Sequence, residues 1–101
     1  MIKSELITAI ARKQSYLDER DVELAVKCLL NKMTEVLGAG QRIEIRGFGS
    51  FSLRERLPIK GRNPRTGEPV LLPKRHSVRF KAGLELAKRV NDSADKYRIQ
   101  D

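Results

Sequence analysis

Residues 54–74, RERLPIKGRNPRTGEPVLLPK, cannot contribute to a core. They are polar, basic and interrupted by prolines, yet they lie inside a chain of only 101 residues. Setting them aside leaves about 80 residues, a marginal length for a domain that must bury its own apolar surface. Within the stretch, Leu57, Ile59, Val70, Leu71 and Leu72 are placed to pair across a two-stranded ribbon, which by itself is marginal in water. The expected arm runs over about residues 54–76 and turns at GRNPRTG. There Pro64 sits among Arg62, Asn63 and Arg65, with Gly61 and Gly67 closing the stretch. A proline at an exposed tip is either turn chemistry or a tool.

The rest of the chain reads as α+β. Leu6, Ile7, Ile10 and Ala11 fall at helical spacing over 3–14, with Ser4 or the chain just before it as the cap. Asp18 reads as an N-cap with Asp21 in the capping-box place. From Val22 to Leu37 an amphipathic stripe marks a second helix that stops at Gly38 or Gly40. Then the period changes: Ile43 and Ile45 alternate with charged residues, Arg46-Gly47 can turn a hairpin, and Phe48, Phe51 and Leu53 continue a second strand with a bulge expected at Gly49. Val78 and Phe80 return the strand to the body, and Gly83 opens a last helix. The domain is expected over 1–91, with 92–101 a polar tail. The second helix is apolar over more of its face than one short helix could cover, so an intertwined, two-fold-like dimer is expected.

Charge narrows the function. The chain carries 21 Lys and Arg against 13 Asp and Glu, a net +8. Residues 54–81 alone hold 9 basic and 2 acidic residues, a net +7. Protein surfaces usually intersperse the two signs, so a field this concentrated argues for a polyanionic partner. The N-terminus lacks the apolar core of a signal peptide, no run could span a bilayer, and Cys28 is alone, all of which suit a reducing cytoplasm.

Catalytic and cofactor signals fail on inspection. RGFGSFSL at 46–53 contains G-x-G, but the place of the third glycine holds Ser52, in a strand. The same stretch matches the RNA-recognition pattern for four places and then fails at Ser50 and Leu53. In one strand Phe48 and Phe51 would have opposite parity, so Phe48, Phe51 and Phe80 read as core rather than as a stacking platform. His76 is the only histidine and reads as a surface or phosphate-facing group; Cys28 reads as a small packing residue at the edge of the helical stripe. Asp18, Glu19, Asp21 and Glu23 sit where a helix dipole favours them. No enzyme activity, metal or cofactor is expected.

RIEIRGFGSFSLRER and GRNPRTGEPV together resemble the HU and integration host factor family of bacterial DNA-bending proteins. The likeness extends over residues 1 to about 91, and IEIRGFGSFSL with the opening KSELI looks most like its beta-subunit branch. The resemblance implies two N-terminal helices, a three-stranded antiparallel saddle, long ribbon arms and a C-terminal helix in an intertwined dimer. It implies double-stranded DNA as ligand and, as protein partner, a related alpha subunit or a second copy of itself. Departures are Ile2 for a capping polar residue, Val78 for a common proline, and Ala82 and Leu84 for the usual Pro and Lys.

The family bends DNA by minor-groove intercalation, so the resemblance supplies the mechanism. Proline is rigid, apolar and has no N–H to desolvate, which suits Pro64 to be the wedge. Lys60, Arg62, Asn63 and Arg65 would flank it in the minor groove. Arg46 and Glu44 would carry sequence preference at a groove edge. Lys3, Ser4, Lys27, Arg54, Arg56, Lys74, Arg75, Arg79, Lys81, Gly83 and Lys88 would hold phosphates. The implied setting is the nucleoid, in recombination, replication and control of transcription and translation. The alternatives are an HU-like homodimeric nucleoid protein with little sequence preference, an RNA-binding module, and a protein that binds only other proteins.

Overall fold

Local signals set the helix ends in the computed structural model, which describes residues 1–100. Asp101, the last residue of the expected tail, and the side chain of Ile59 lie outside the described residues. Helix α1 spans Lys3–Lys13. Ile2 precedes it with no side-chain cap, and Gln14 ends it. The Gln14 side chain then organises the next turn, accepting from the N–H groups of Tyr16 and Leu17 at 3.0 and 2.9 Å. Helix α2 spans Glu19–Gly38. Asp18 Oδ1 accepts the N–H of Asp21 at 2.9 Å, one half of the expected capping box. At the other end Gln41 N–H reaches Val36 C=O at 3.1 Å and Gly40 N–H reaches Leu37 C=O at 3.0 Å. With φ of Gly40 at 81°, this is a Schellman ending that needs a residue without Cβ.

Five strands follow: β1 (Ile43–Ile45), β2 (Gly49–Arg56), β3 (Ile59–Arg62), β4 (Pro69–Leu72) and β5 (Arg75–Ala82), before α3 (Leu84–Asp92). The body sheet has the order β1-β2-β5, and β3 pairs with β4 in the arm. All pairings are antiparallel, as the alternating pattern and short turns require. The β1–β2 turn is closed by Phe48 N–H on Ile45 C=O at 3.0 Å, with Gly47 at φ 83° in the left-handed place.

The expected bulge at Gly49 is absent. Its ladder is regular, Ile45 to Gly49 to Ala82. Gly49 is needed for space instead: a Cβ there would lie 2.6 Å from both the Phe80 ring and the Lys81 carbonyl oxygen. Phe48 lies in the turn, not in the strand. It therefore escapes the parity argument, and both Phe48 and Phe51 meet Phe80, with ring centroids 5.4 and 4.8 Å apart.

The arm is a continuation of the body sheet. Gly49 pairs with Ala82, Arg56 with Arg75, Ile59 with Leu72 and Arg62 with Pro69, all in one unslipped register. The same register sets Pro58 opposite Pro73. Neither has an N–H, so the ladder breaks there and resumes beyond. At its root Lys74 Nζ lies 2.7 Å from Glu55 Oε1, and Arg56 Nε donates to Ser77 Oγ at 3.1 Å.

The result is long: 58 × 36 × 29 Å, with a radius of gyration of 19.1 Å, where a compact chain of this length has about 13 Å. Among the described residues only Ile7 and Val22 are buried hydrophobics, while Leu29 is 60 % exposed and Phe48 44 %. Among the described residues no helix is long and apolar enough to cross a membrane.

Two substitutions test this packing. Gly49→Ala should cost about 1–3 kcal/mol, because the added methyl has nowhere to go. Asp18→Ala should cost about 1 kcal/mol from the lost cap. Urea unfolding of both variants against wild type measures each; a Gly49→Ala midpoint equal to wild type would contradict the close approach.

Candidate nucleic-acid interface

Strand alternation sorts the charges. In the β2–β5 ladder Phe51 faces Phe80 and Leu53 faces Val78, while Ser50 faces Lys81, Ser52 faces Arg79, Arg54 faces Ser77 and Arg56 faces Arg75. Directly paired residues share a face and successive residues alternate. One face of the sheet is therefore apolar. The other carries Arg54, Arg56, Arg75, Arg79 and Lys81, interleaved with three serine hydroxyls. Ser50, Ser52 and Ser77 were not singled out from the sequence; their parity with the basic residues was the available signal. Lys74 falls on the opposite face, with Glu55 as its partner.

The same parity runs into the arm, where Lys60 and Arg62 pair with Leu71 and Pro69. At the tip, Asn63 N–H donates to Glu68 C=O at 2.8 Å and Gly67 N–H to Asn63 C=O at 2.7 Å. Arg62 Nη1 donates to Gly67 C=O at 3.3 Å. Gly67 takes φ 71°, which suits a residue without Cβ. Pro64 and Arg65 are exposed at the end of this turn.

A second group forms at the β1–β2 turn. Arg46, Glu44, Arg42, Ser50, Lys81 and Gly83 line one shallow depression. Gly83 is the N-cap of α3, and its N–H is tied to Phe48 C=O at 2.8 Å. Within it Glu44 Oε1 lies 3.8 Å from Arg42 Nη2.

A third group lies where α1 starts against α2, with Lys3, Ser4, Glu23 and Lys27 around one shallow surface. Lys27 Nζ is 2.9 Å from Glu23 Oε1. The hydrogen bond and charge of Lys27 hold the Glu23 carboxyl below its ordinary range, with Lys3 and Arg20 adding to the effect. Lys88, on α3, pairs with Asp92 at 3.5 Å. Lys27 and Lys88 thus meet any polyanion already partly neutralised, whereas none of the ion pairs among the described residues includes Lys3, Arg46, Arg79 or Lys81.

Comparison with known proteins agrees with this arrangement. The family model described as bacterial DNA-binding protein matches residues 1–91. The integration host factor subunit beta of Alkalilimnicola ehrlichii is 63 % identical over 91 residues, covering 90 % of this chain and 91 % of that one. That of Halorhodospira halophila is 60 % identical over 93 residues, covering 92 % and 91 %. Among solved structures, an Anabaena HU–DNA cocrystal structure superposes with a TM-score of 0.82 at 31 % identity, covering 89 % of this chain and 97 % of that one. An HU variant from Thermotoga maritima gives 0.65 at 32 % identity, covering 89 % and 99 %. The family match over residues 1–91 and these relatives, together with a basic sheet face running into a proline-tipped ribbon, place this chain in the HU and integration host factor family of bacterial DNA-binding proteins, in its beta-subunit branch.

Proposed function

We propose that this chain is one subunit of an architectural protein that binds the minor groove and bends duplex DNA sharply by wedging Pro64 between base pairs. The observation that carries the reading is the unbroken register from the basic face of the body sheet to an exposed proline at the ribbon tip. One continuous surface can then grip phosphates at the body while its far end enters the groove.

The energetics are those of exchange. Opening one base step costs a few kcal/mol, and the bend repays it by bringing more duplex onto protein. Arg54, Arg56, Arg75, Arg79 and Lys81 supply the phosphate contacts, and displaced counterions make the gain salt-dependent. Lys60, Arg62 and Arg65 follow the wedge into the groove. Lys3 and Ser4 at the start of α1 and the first turn of α3 that Gly83 opens take the phosphates of the folded-back flanks, where helix N–H groups are unpaired. Lys27, Lys74 and Lys88 contribute less, because each must first leave a carboxylate.

The subunit works in a pair. Phe80 at 40 % and Val78 at 56 % exposure sit on the apolar face of the sheet, and Val90 of α3 is 60 % exposed. A second, related chain covers these, either an alpha subunit or another copy, and two arms then give two kinks. Arg46, unpaired beside Arg42 and Glu44, reads the groove edge. That edge distinguishes little beyond A·T from G·C, so most selectivity comes from how easily a site deforms. Recombination, replication and the control of gene expression are the processes such shaping serves, at the nucleoid.

End-to-end energy transfer across a short labelled duplex tests the wedge. Wild type should give high transfer and Pro64→Ala should lose it; equal transfer from both would remove the reading. Arg46→Ala should lower the preference for a bendable A·T-rich site by about 1 kcal/mol while leaving random-duplex affinity nearly unchanged. Equal losses on both duplexes at fixed salt would contradict that role. Arg79→Ala should weaken binding to all sequences alike and reduce the salt slope by about 1, measured by titration at several salt concentrations.

A further inference from the structure

The Asn63 side-chain oxygen is committed to the turn. Arg62, Pro64 and Arg65 are exposed, but Asn63 between them is half-buried. Its backbone N–H and C=O both bond across the ribbon end, to Glu68 and Gly67. Its side-chain Oδ1 accepts the N–H of Arg65 at 2.9 Å, spanning Pro64. This is an Asx-turn with the proline at its centre.

The bond has a mechanical consequence. The pyrrolidine ring fixes φ of Pro64 but leaves ψ free to rotate. The ψ of Pro64 sets where the Arg65 N–H points, so an acceptor holding that N–H fixes the remaining freedom at the wedge. The residue before a proline is itself confined to extended backbone. Asn63 therefore supplies both a restricted backbone and a side-chain clasp. A wedge ordered before DNA arrives does not pay that ordering on binding.

We propose that Asn63 is a positioning residue for Pro64, its Oδ1 locking the tip in the geometry that enters a base step. The proposal rests on the wedge reading above. It gives Asn63 a role inside the protein that a base-edge or sugar contact would not require.

The test combines two readouts on the full chain in its dimer. The first is the solvent-exchange rate of the Arg65 amide by NMR, without DNA. The second is end-to-end energy transfer on a labelled duplex. The variants are Asn63→Ala, Asn63→Ser and Pro64→Ala. Asn63→Ala should speed Arg65 exchange and weaken formation of the bent complex about fivefold, the worth of one hydrogen bond. Asn63→Ser, whose hydroxyl can accept the same N–H more weakly, should recover part of both. Asn63→Ala that bends DNA as wild type does would overturn the proposal. So would a loss of bending with Arg65 exchange unchanged, which would put the effect at the DNA. If Pro64→Ala bends as well as wild type, the wedge reading itself falls and this role with it, a result separable from failure at Asn63.

Discussion

Burial of apolar surface is the main stabilising term available to a small domain, and among the described residues one copy of this chain buries only Ile7 and Val22, at 6 % and 3 % exposure. The shortfall has a structural origin. Residues 54–74 are spent on the ribbon, the sheet has three strands in its body, and its apolar face carries Phe51, Leu53, Val78 and Phe80, of which Val78 is 56 % and Phe80 40 % exposed. The proposed pairing resolves both problems together. It covers the apolar face, and it places a second arm on the same particle.

The basic face depends on the apolar one. Period-two alternation means that fixing Phe51 against Phe80 and Leu53 against Val78 also fixes Ser52 with Arg79 and Arg54 with Ser77 on the far side. A slip by one residue would bury the arginines and expose the phenylalanines. Gly49 protects this register, because only a residue without Cβ fits beneath Phe80. The register then carries through the break at Pro58 and Pro73 to the tip, so an interaction in the body fixes what the arm presents some distance away.

Much of this was legible in the sequence, and the division follows locality. Asp18, Gly40 and Gly83 mark helix ends through nearby bonds, and the structure has them there. The ribbon was legible because its composition cannot form a core. Three features were not. The pairing of faces needs a register, which is a relation between distant residues. Phe48 was assigned to a strand whose parity does not apply in a turn, so its meeting with Phe80 was missed. The bulge expected at Gly49 shows the same limit: a glycine in a strand reports either a backbone distortion or a close approach, and only the packing of Phe80 decides.

The most direct measurement is the thermal unfolding midpoint of the DNA-free protein as a function of its own concentration, with sedimentation at the same concentrations. If folding and pairing are one event, mass action raises the midpoint with concentration, and the folded species sediments as two chains. A midpoint independent of concentration, with the folded protein sedimenting as a single chain, would contradict the account, because one chain would then be stable with its apolar face uncovered and would bring only one arm to the duplex.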